Sequence, residues 1–239
     1  MYEQSAKLNE IKSICDTYNV TLIEDAAESL GAEFQGEMSG SFGDFGIFSF
    51  NGNKIITTSG GGMLVTNNEE AKEHAFFLAT QARDKAIHYQ HSELGYNYRL
   101  SNISAGIGRG QMEVLEQRVQ KRRAIFDKYY QELSDIEGIE FQPELPNSKS
   151  NRWLTALTID EKKAGFSAND VISALSKENI EARPVWKPMH LQPLYDQYEF
   201  IYDGVDNAKY LFEHGICLPS GSDMDTKVQE KIIQIIKKL

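Results

Sequence analysis

Apolar side chains at Ala6, Leu8, Ile11, Ile14 and Cys15 fall on one face of a helix, and the apolar-rich stretch 20–23 then ends at Glu24-Asp25. This pattern predicts a helix feeding a short strand with acids at its carboxyl end. A short segment at 32–35, a glycine-rich turn at 39–43 and a strand at 46–50 follow. A buried strand at 61–66 then leads to a helix opening near Asn68, with acids in its first turn. Such alternation predicts α/β layering on a mostly parallel or mixed sheet. One long helix is predicted over 102–133, with Met112, Leu115, Val119, Phe126 and Tyr130 as its apolar positions and 117–123 as a polar face. Beyond Gly138 the elements shorten into an α+β pattern, with strands at 139–141, 153–159 and 180–183 and helices near 168–178, 207–214 and 226–238. The predicted organisation is a partial large α/β domain over 1–133, including the long connecting helix, and a small C-terminal domain over 134–239, with 143–150 as a polar loop inside it. No internal repeat or low-complexity segment interrupts this reading.

The 239 residues, 41% hydrophobic and 25% charged, suit a globular chain with one large or two smaller cores. Acids outnumber bases 35 to 25, a formal charge of −10, so phosphate backbones of nucleic acid and anionic membrane surfaces are unfavourable partners. Apolar runs such as 47–50 are far below the roughly 20 residues of a transmembrane helix, and no charged stretch followed by an apolar leader opens the sequence. A cytoplasmic chain is therefore expected. Cys15 and Cys217 form no CxxC or Cys/His set and read as buried thiols, with no metal site expected.

The chemistry concentrates in 48–62, where Phe48-Ser49-Phe50-Asn51-Gly52-Asn53-Lys54 precedes Thr57-Thr58-Ser59 and the glycines 60–62. A lysine after a buried strand, flanked by small and hydroxyl residues, can be held partly desolvated and act as a nucleophile. Alone, such a lysine is more often a solvated loop residue. Asp25 follows a strand directly, where ligands sit in open α/β sheets; alone it could be a helix N-cap. A carboxylate and a lysine on neighbouring strand ends are the two fixed points that pyridoxal phosphate requires, one for the ring nitrogen and one for a Schiff base. The Gly106, Gly108, Gly110 series lacks a preceding strand, so it reads as close helix packing rather than a dinucleotide site.

Several ordered motifs carry a resemblance: 24–31 (EDAAESLG), 40–44 (GSFGD), 47–50 (IFSF), Lys54 with glycines 60–62, 95–100 (GYNYRL), 183–190 (RPVWKPMH) and 217–220 (CLPS). Together they resemble the DegT/DnrJ/EryC1/StrS family of nucleotide-sugar aminotransferases, nearest the bacillosamine and exopolysaccharide branch making 4-amino sugars. The resemblance runs through essentially the whole chain and implies the fold of type I pyridoxal-phosphate transferases.

By that resemblance Lys54 is the cofactor-bearing lysine and later the proton carrier, and Asp25 keeps the pyridine nitrogen protonated. Ala27 lies against the ring and Ser49 contacts the phosphate. Asn97 reaches a phosphate from the second subunit of a homodimer, so sites are completed in trans. Glu28 departs from the family's usual Gln or His near the cofactor's phenolic oxygen. A carboxylate there repels a phenolate unless it is protonated or a cation intervenes; its other reading is a structural, solvent-facing residue. Trp186, Lys187 and His190 could contact the nucleotide sugar, with Trp186 alternatively a core plug; His88, Tyr89 and His91 could be substrate contacts or simply solvated. The expected reaction moves an amino group, from glutamate, to a 4-keto-6-deoxy nucleotide sugar. Its rivals are a PLP-dependent sugar dehydratase, against which Lys54 weighs because dehydrating relatives carry His, and a silent or regulatory protein retaining the fold. The sequence opens where the family normally has further strands and a phosphate-gripping turn upstream, so a truncated copy with weak cofactor binding alone, exposed sheet edges and an uncovered apolar face is expected.

Overall fold

The computed structural model describes Tyr2 and residues 4–239. Helix α1 (Leu8–Tyr18) ends at Asn19, whose left-handed conformation turns the chain toward strand β1 (Ile23–Asp25). Strands β2 (Glu33–Phe34), β3 (Glu37–Met38), β4 (Phe45–Ser49) and β5 (Gly62–Val65) follow, then helices α2 (Glu69–Ala79), α3 (Asn102–Met112) and α4 (Leu115–Leu133). After β6 (Ile139–Phe141), β7 (Ser148–Lys149) and β8 (Thr155–Ile159) come α5 (Glu161–Ala164), α6 (Ala168–Ser176) and β9 (Arg183–Pro184). A 3₁₀ turn (Met189–Leu191), α7 (Asn207–His214), β10 (Gly215–Leu218) and α8 (Thr226–Ile236) complete the chain.

Two compact units result: Met1–Gln120 with Glu144–Trp153, and Lys121–Pro143 with Leu154–Leu239. The division differs from a single cut after residue 133. Helix α4 contributes to both units, and the polar stretch expected inside the second joins the first from Glu144 onward.

In the first unit β1 runs parallel to β4, with Asp25 opposite Ile47, and β5 is antiparallel to β4, with Gly62 opposite Ser49. The ladder starts at Ile23 and not at residue 20. The Leu22 N–H donates instead to the Asp44 carboxylate (2.8 Å), and its carbonyl accepts from the Asp44 N–H (2.8 Å). Ile23 on one edge strand and Leu64 on the other are exposed, as are Ile103 and Ile107 on α3. A second small sheet, β3-β2-β7, pairs Glu33 with Lys149 and thereby draws the 144–153 segment into this unit.

Glu24 is buried in β1, its two carboxylate oxygens accepting the backbone N–H groups of Gly40 (2.6 Å) and Phe42 (3.1 Å). The glycine-rich turn is thus clamped by a charge. At Gly40, where φ is +88°, a Cβ would strike the Phe48 ring. Glu24→Ala is expected to cost about 2 kcal/mol or more, because two buried N–H donors lose a charged acceptor. Urea melts measure it.

The helix expected over 102–133 is two helices. The three glycines of α3 weaken helix propensity ahead of the break, the Val114 N–H turns back to the Gln111 carbonyl, and the Arg118 N–H resumes the ladder at Val114. Only Gly108 is a close approach, beside the Thr58 methyl; Gly106 and Gly110 face open space. Of the two thiols Cys217 is buried, whereas Cys15 is only half-buried.

The second unit folds an antiparallel β6-β8-β10-β9 sheet against α6 and α7, with α8 packed on α6. Its core gathers Tyr129, Leu133, Leu157, Val171, Leu175, Ile216, Leu218, Ile232 and Ile236. Ser167 and Asp170 form a capping box at α6, and donation by the Ser167 hydroxyl and N–H holds the Asp170 carboxyl below the usual carboxylate range. Hydrogen bonds from Lys237 to Glu132 and from Lys231 to Glu178 lower those carboxyls too. Groups depressed on folding contribute stability that is full above their unfolded values, about 3.9 for Asp and 4.3 for Glu, and is lost as pH falls through the lower folded values. Asp170→Asn is therefore expected to lower the melting temperature at neutral pH, with the deficit shrinking toward about pH 3. Melts across that range test it.

Candidate cofactor-attachment site

Because β1 and β4 are adjacent and parallel, the loops leaving their carboxyl ends lie side by side. Asp25 ends β1 with its side chain exposed, one oxygen accepting the Ala27 N–H (3.1 Å), while Ala26 is buried and Ala27 half-buried. The same carboxylate therefore shapes the turn and faces the strand-end region. Ser49 ends β4, half-buried, its hydroxyl accepting a long bond from the Asn51 N–H (3.4 Å).

Lys54 sits on a turn closed by its own N–H to the Asn51 carbonyl (3.0 Å). Apolar anchors hold both flanks, Phe50 before it and Ile55 and Ile56 after it, packed with Val119. The amine is shielded, its side chain only 12% exposed, and stands 3.7 Å from Glu28 Oε1 and 4.3 Å from the centre of the Trp153 ring. The cation required beside a Glu28 carboxylate is thus Lys54 itself. Glu28 Oε2 also accepts the Tyr2 N–H (3.3 Å), and its side chain is 18% exposed, so it is not solvent-facing. An acceptor carboxylate, a shielded amine and a hydroxyl on adjoining strand ends suit a group with a cationic ring nitrogen, an aldehyde and a phosphate.

Asn97 is exposed, bridged to Thr80, and lines a pocket of about 570 Å³ with 58–61, 98–101 and Ser104. Neither Asp25, Ser49 nor Lys54 lines that pocket. His91 Nδ1 contacts the Gln81 carbonyl (2.8 Å), His88 contacts Gln90, and the Tyr89 ring packs under Arg83, so these three close their own loop. In the second unit Trp186 is 43% exposed rather than a core plug, and Lys187 is exposed. His190 is 2.8 Å from the Asp206 carboxylate and stacks on Phe200. Asp206 also caps α7, and the Lys209 N–H and then His190 hold its carboxyl below the usual range.

Sequence reasoning missed Asn151 and Trp153. Asn151, fully buried, donates to the carbonyls of Glu28 and Leu30 (2.9 Å each), and the indole N–H of Trp153 donates to the Asn53 carbonyl (2.6 Å). Their partners lie 100 or more residues away, and the only local signal was a tryptophan immediately before an apolar strand. Among the described residues no group of three or more His, Cys, Asp or Glu could hold a metal, and no helix is long and apolar enough to cross a membrane.

This layered arrangement of strands and helices is that of the fold-type I pyridoxal-phosphate-dependent transferases. A crystal structure of a DegT DnrJ EryC1 StrS aminotransferase from Brucella abortus superposes with a TM-score of 0.87 at 26% identity, covering 100% of this chain and 62% of that one. Residues 1–237 match the DegT/DnrJ/EryC1/StrS aminotransferase family, and the chain belongs to it. It is 57% identical over 242 residues to EpsN of Bacillus subtilis (strain 168), provisionally named a pyridoxal phosphate-dependent aminotransferase, covering 100% of this chain and 61% of that protein. The UDP-4-amino-4,6-dideoxy-N-acetyl-beta-L-altrosamine transaminase of Campylobacter jejuni is 38% identical over 246 residues, which are 98% of this chain and 64% of that protein. The chain thus spans less than two thirds of the length of these relatives.

Proposed function

We propose that this chain holds the reacting lysine of a pyridoxal-phosphate-dependent aminotransferase that moves an amino group from glutamate to a 4-keto-6-deoxy nucleotide sugar for glycan precursors. The observation supporting it most is the placement of Asp25 at the end of β1 and of Lys54 on the turn leaving the adjacent, parallel β4. The names of the relatives, an aminotransferase and a nucleotide-sugar transaminase, agree with it.

Pyridoxal phosphate supplies an aldehyde for covalent attachment and a cationic ring that withdraws electrons. Asp25 would pair with the ring nitrogen, Ala27 would offer its small side chain to the ring, and Ser49 would donate its hydroxyl to the phosphate, while Glu28 stands beside the lysine. Lys54 Nζ would attach the cofactor and would carry the proton between the substrate's amine-bearing carbon and the cofactor's aldehyde-derived carbon. Asn97 serves a second subunit of a homodimer, a reading consistent with its exposed place in a pocket that Lys54 does not line. In the second unit, Trp186, Lys187 and His190 are the residues assigned to the nucleotide sugar, with His190 held by Asp206. A nucleotide diphosphate sugar is multiply charged and does not cross a bilayer unaided, so the proposed substrate supports a cytoplasmic enzyme.

Adding pyridoxal phosphate is expected to give a visible-edge absorption band that glutamate bleaches. A band that persists in glutamate, or no band, would favour the silent-protein reading.

A further inference from the structure

The segment 144–153 leaves the second half of the chain to join the first unit, and its last residues reach both loops of the attachment site. Asn151 Nδ2 holds the carbonyls of Glu28 and Leu30, while Asn151 Oδ1 accepts the Trp153 N–H (3.0 Å). The Trp153 indole N–H in turn holds the carbonyl of Asn53, the residue before Lys54. The loop after β1 and the turn after β4 are therefore tied to one buried bracket, with Asn151 fully enclosed and Trp153 1% exposed. The Lys54 amine lies within this bracket, over the indole face at 4.3 Å and 3.7 Å from Glu28.

We propose that Trp153 is a positioning residue for Lys54: its indole face, fixed through Asn151 and Asn53, holds the ammonium in place beside the Glu28 carboxylate, and the amine then captures the cofactor's aldehyde after passing its proton to that carboxylate. This rests on the reading of Lys54 as the attachment lysine.

Lysine has a flexible four-carbon stem, so an amine released in each catalytic cycle would otherwise sample many positions before re-attaching. An indole is the best aromatic face for an ammonium, and a shielded one gains more from the contact than a solvated one. Reach within an oriented site converts into rate, because the amine then behaves as a high local concentration at its target. A tryptophan buried only to fill the core would need neither an amine over its face nor an N–H bond to the residue preceding that amine. Trp153 does not touch the reacting atoms in this role; it acts through Lys54.

The test compares Trp153→Phe and Trp153→Leu with the unaltered full chain in two labelling reactions read by peptide mass. The first is brief exposure to pyridoxal phosphate followed by borohydride, which fixes the cofactor wherever it was captured. The second, on chain free of cofactor, uses trinitrobenzenesulfonate, which reacts with the unprotonated amine and so reports its accessibility and basicity but not its aim at the cofactor. Capture at Lys54 is expected to fall about tenfold in the Leu variant and about threefold in the Phe variant, which keeps a weaker ring face. Trinitrophenylation of Lys54 is expected to rise in both, and the other lysines in the same digests serve as controls. A purely structural role would loosen the site and raise both reactions together. That result, or capture unchanged in a folded variant, overturns the proposal, and the Phe variant decides if the Leu variant does not fold. Capture by a different lysine in the unaltered chain overturns the reading of Lys54 and this proposal with it.

Discussion

Lys54→Ala is expected to remove covalent cofactor capture and to lower kcat by more than about 10,000-fold, since one amine both attaches the cofactor and carries the proton. The loss is not expected to come from unfolding. Lys54 lies on a turn whose anchors are Phe50, Ile55 and Ile56, and losing its ion pair to Glu28 leaves a carboxylate that the Tyr2 N–H and water can still serve. Thermal melts of the variant should stay near those of the unaltered chain while the visible-edge band disappears. A variant that retains turnover would require another lysine to reach the end of β4.

Asp25→Asn is expected to lower kcat by about 100–1,000-fold with a far smaller change in KM. The amide keeps the oxygen that accepts the Ala27 N–H, so the turn after β1 should survive the change. What it lacks is the charge that keeps a ring nitrogen protonated, and a neutral ring withdraws electrons poorly from the bond being broken. Steady-state kinetics with separate kcat and KM values distinguish this from a binding defect, which would raise KM at unchanged kcat.

The parts of the fold that were legible in the sequence are those whose causes are local. Asn68 opens α2 because its side chain accepts the Ala71 N–H three residues on, and the helix–strand order through β5 follows from alternating apolar periods. The strand ending in Glu24-Asp25 was found, but its start was not, because the Leu22 backbone is claimed by Asp44, 22 residues away. The break between α3 and α4 was hidden by an apolar period that runs on through it. For the attachment site, the motifs drew attention to Lys54, Asp25 and Glu28, yet the Glu28–Lys54 pairing is a matter of loop packing that no spacing encodes. Glu24, Asn151 and Trp153 were illegible as working residues for the same reason. A buried glutamate and a buried asparagine are recognisable only when the distant backbone groups they satisfy are in view.

Which amine captures the cofactor decides whether Lys54 is the reacting lysine. Incubating the chain with excess pyridoxal phosphate, reducing with borohydride and mapping the modified peptide measures this directly. The cofactor mass is expected on the peptide containing Lys54, and its absence there in Lys54→Ala should leave no equally labelled site. Preferential labelling of any other lysine would contradict the account.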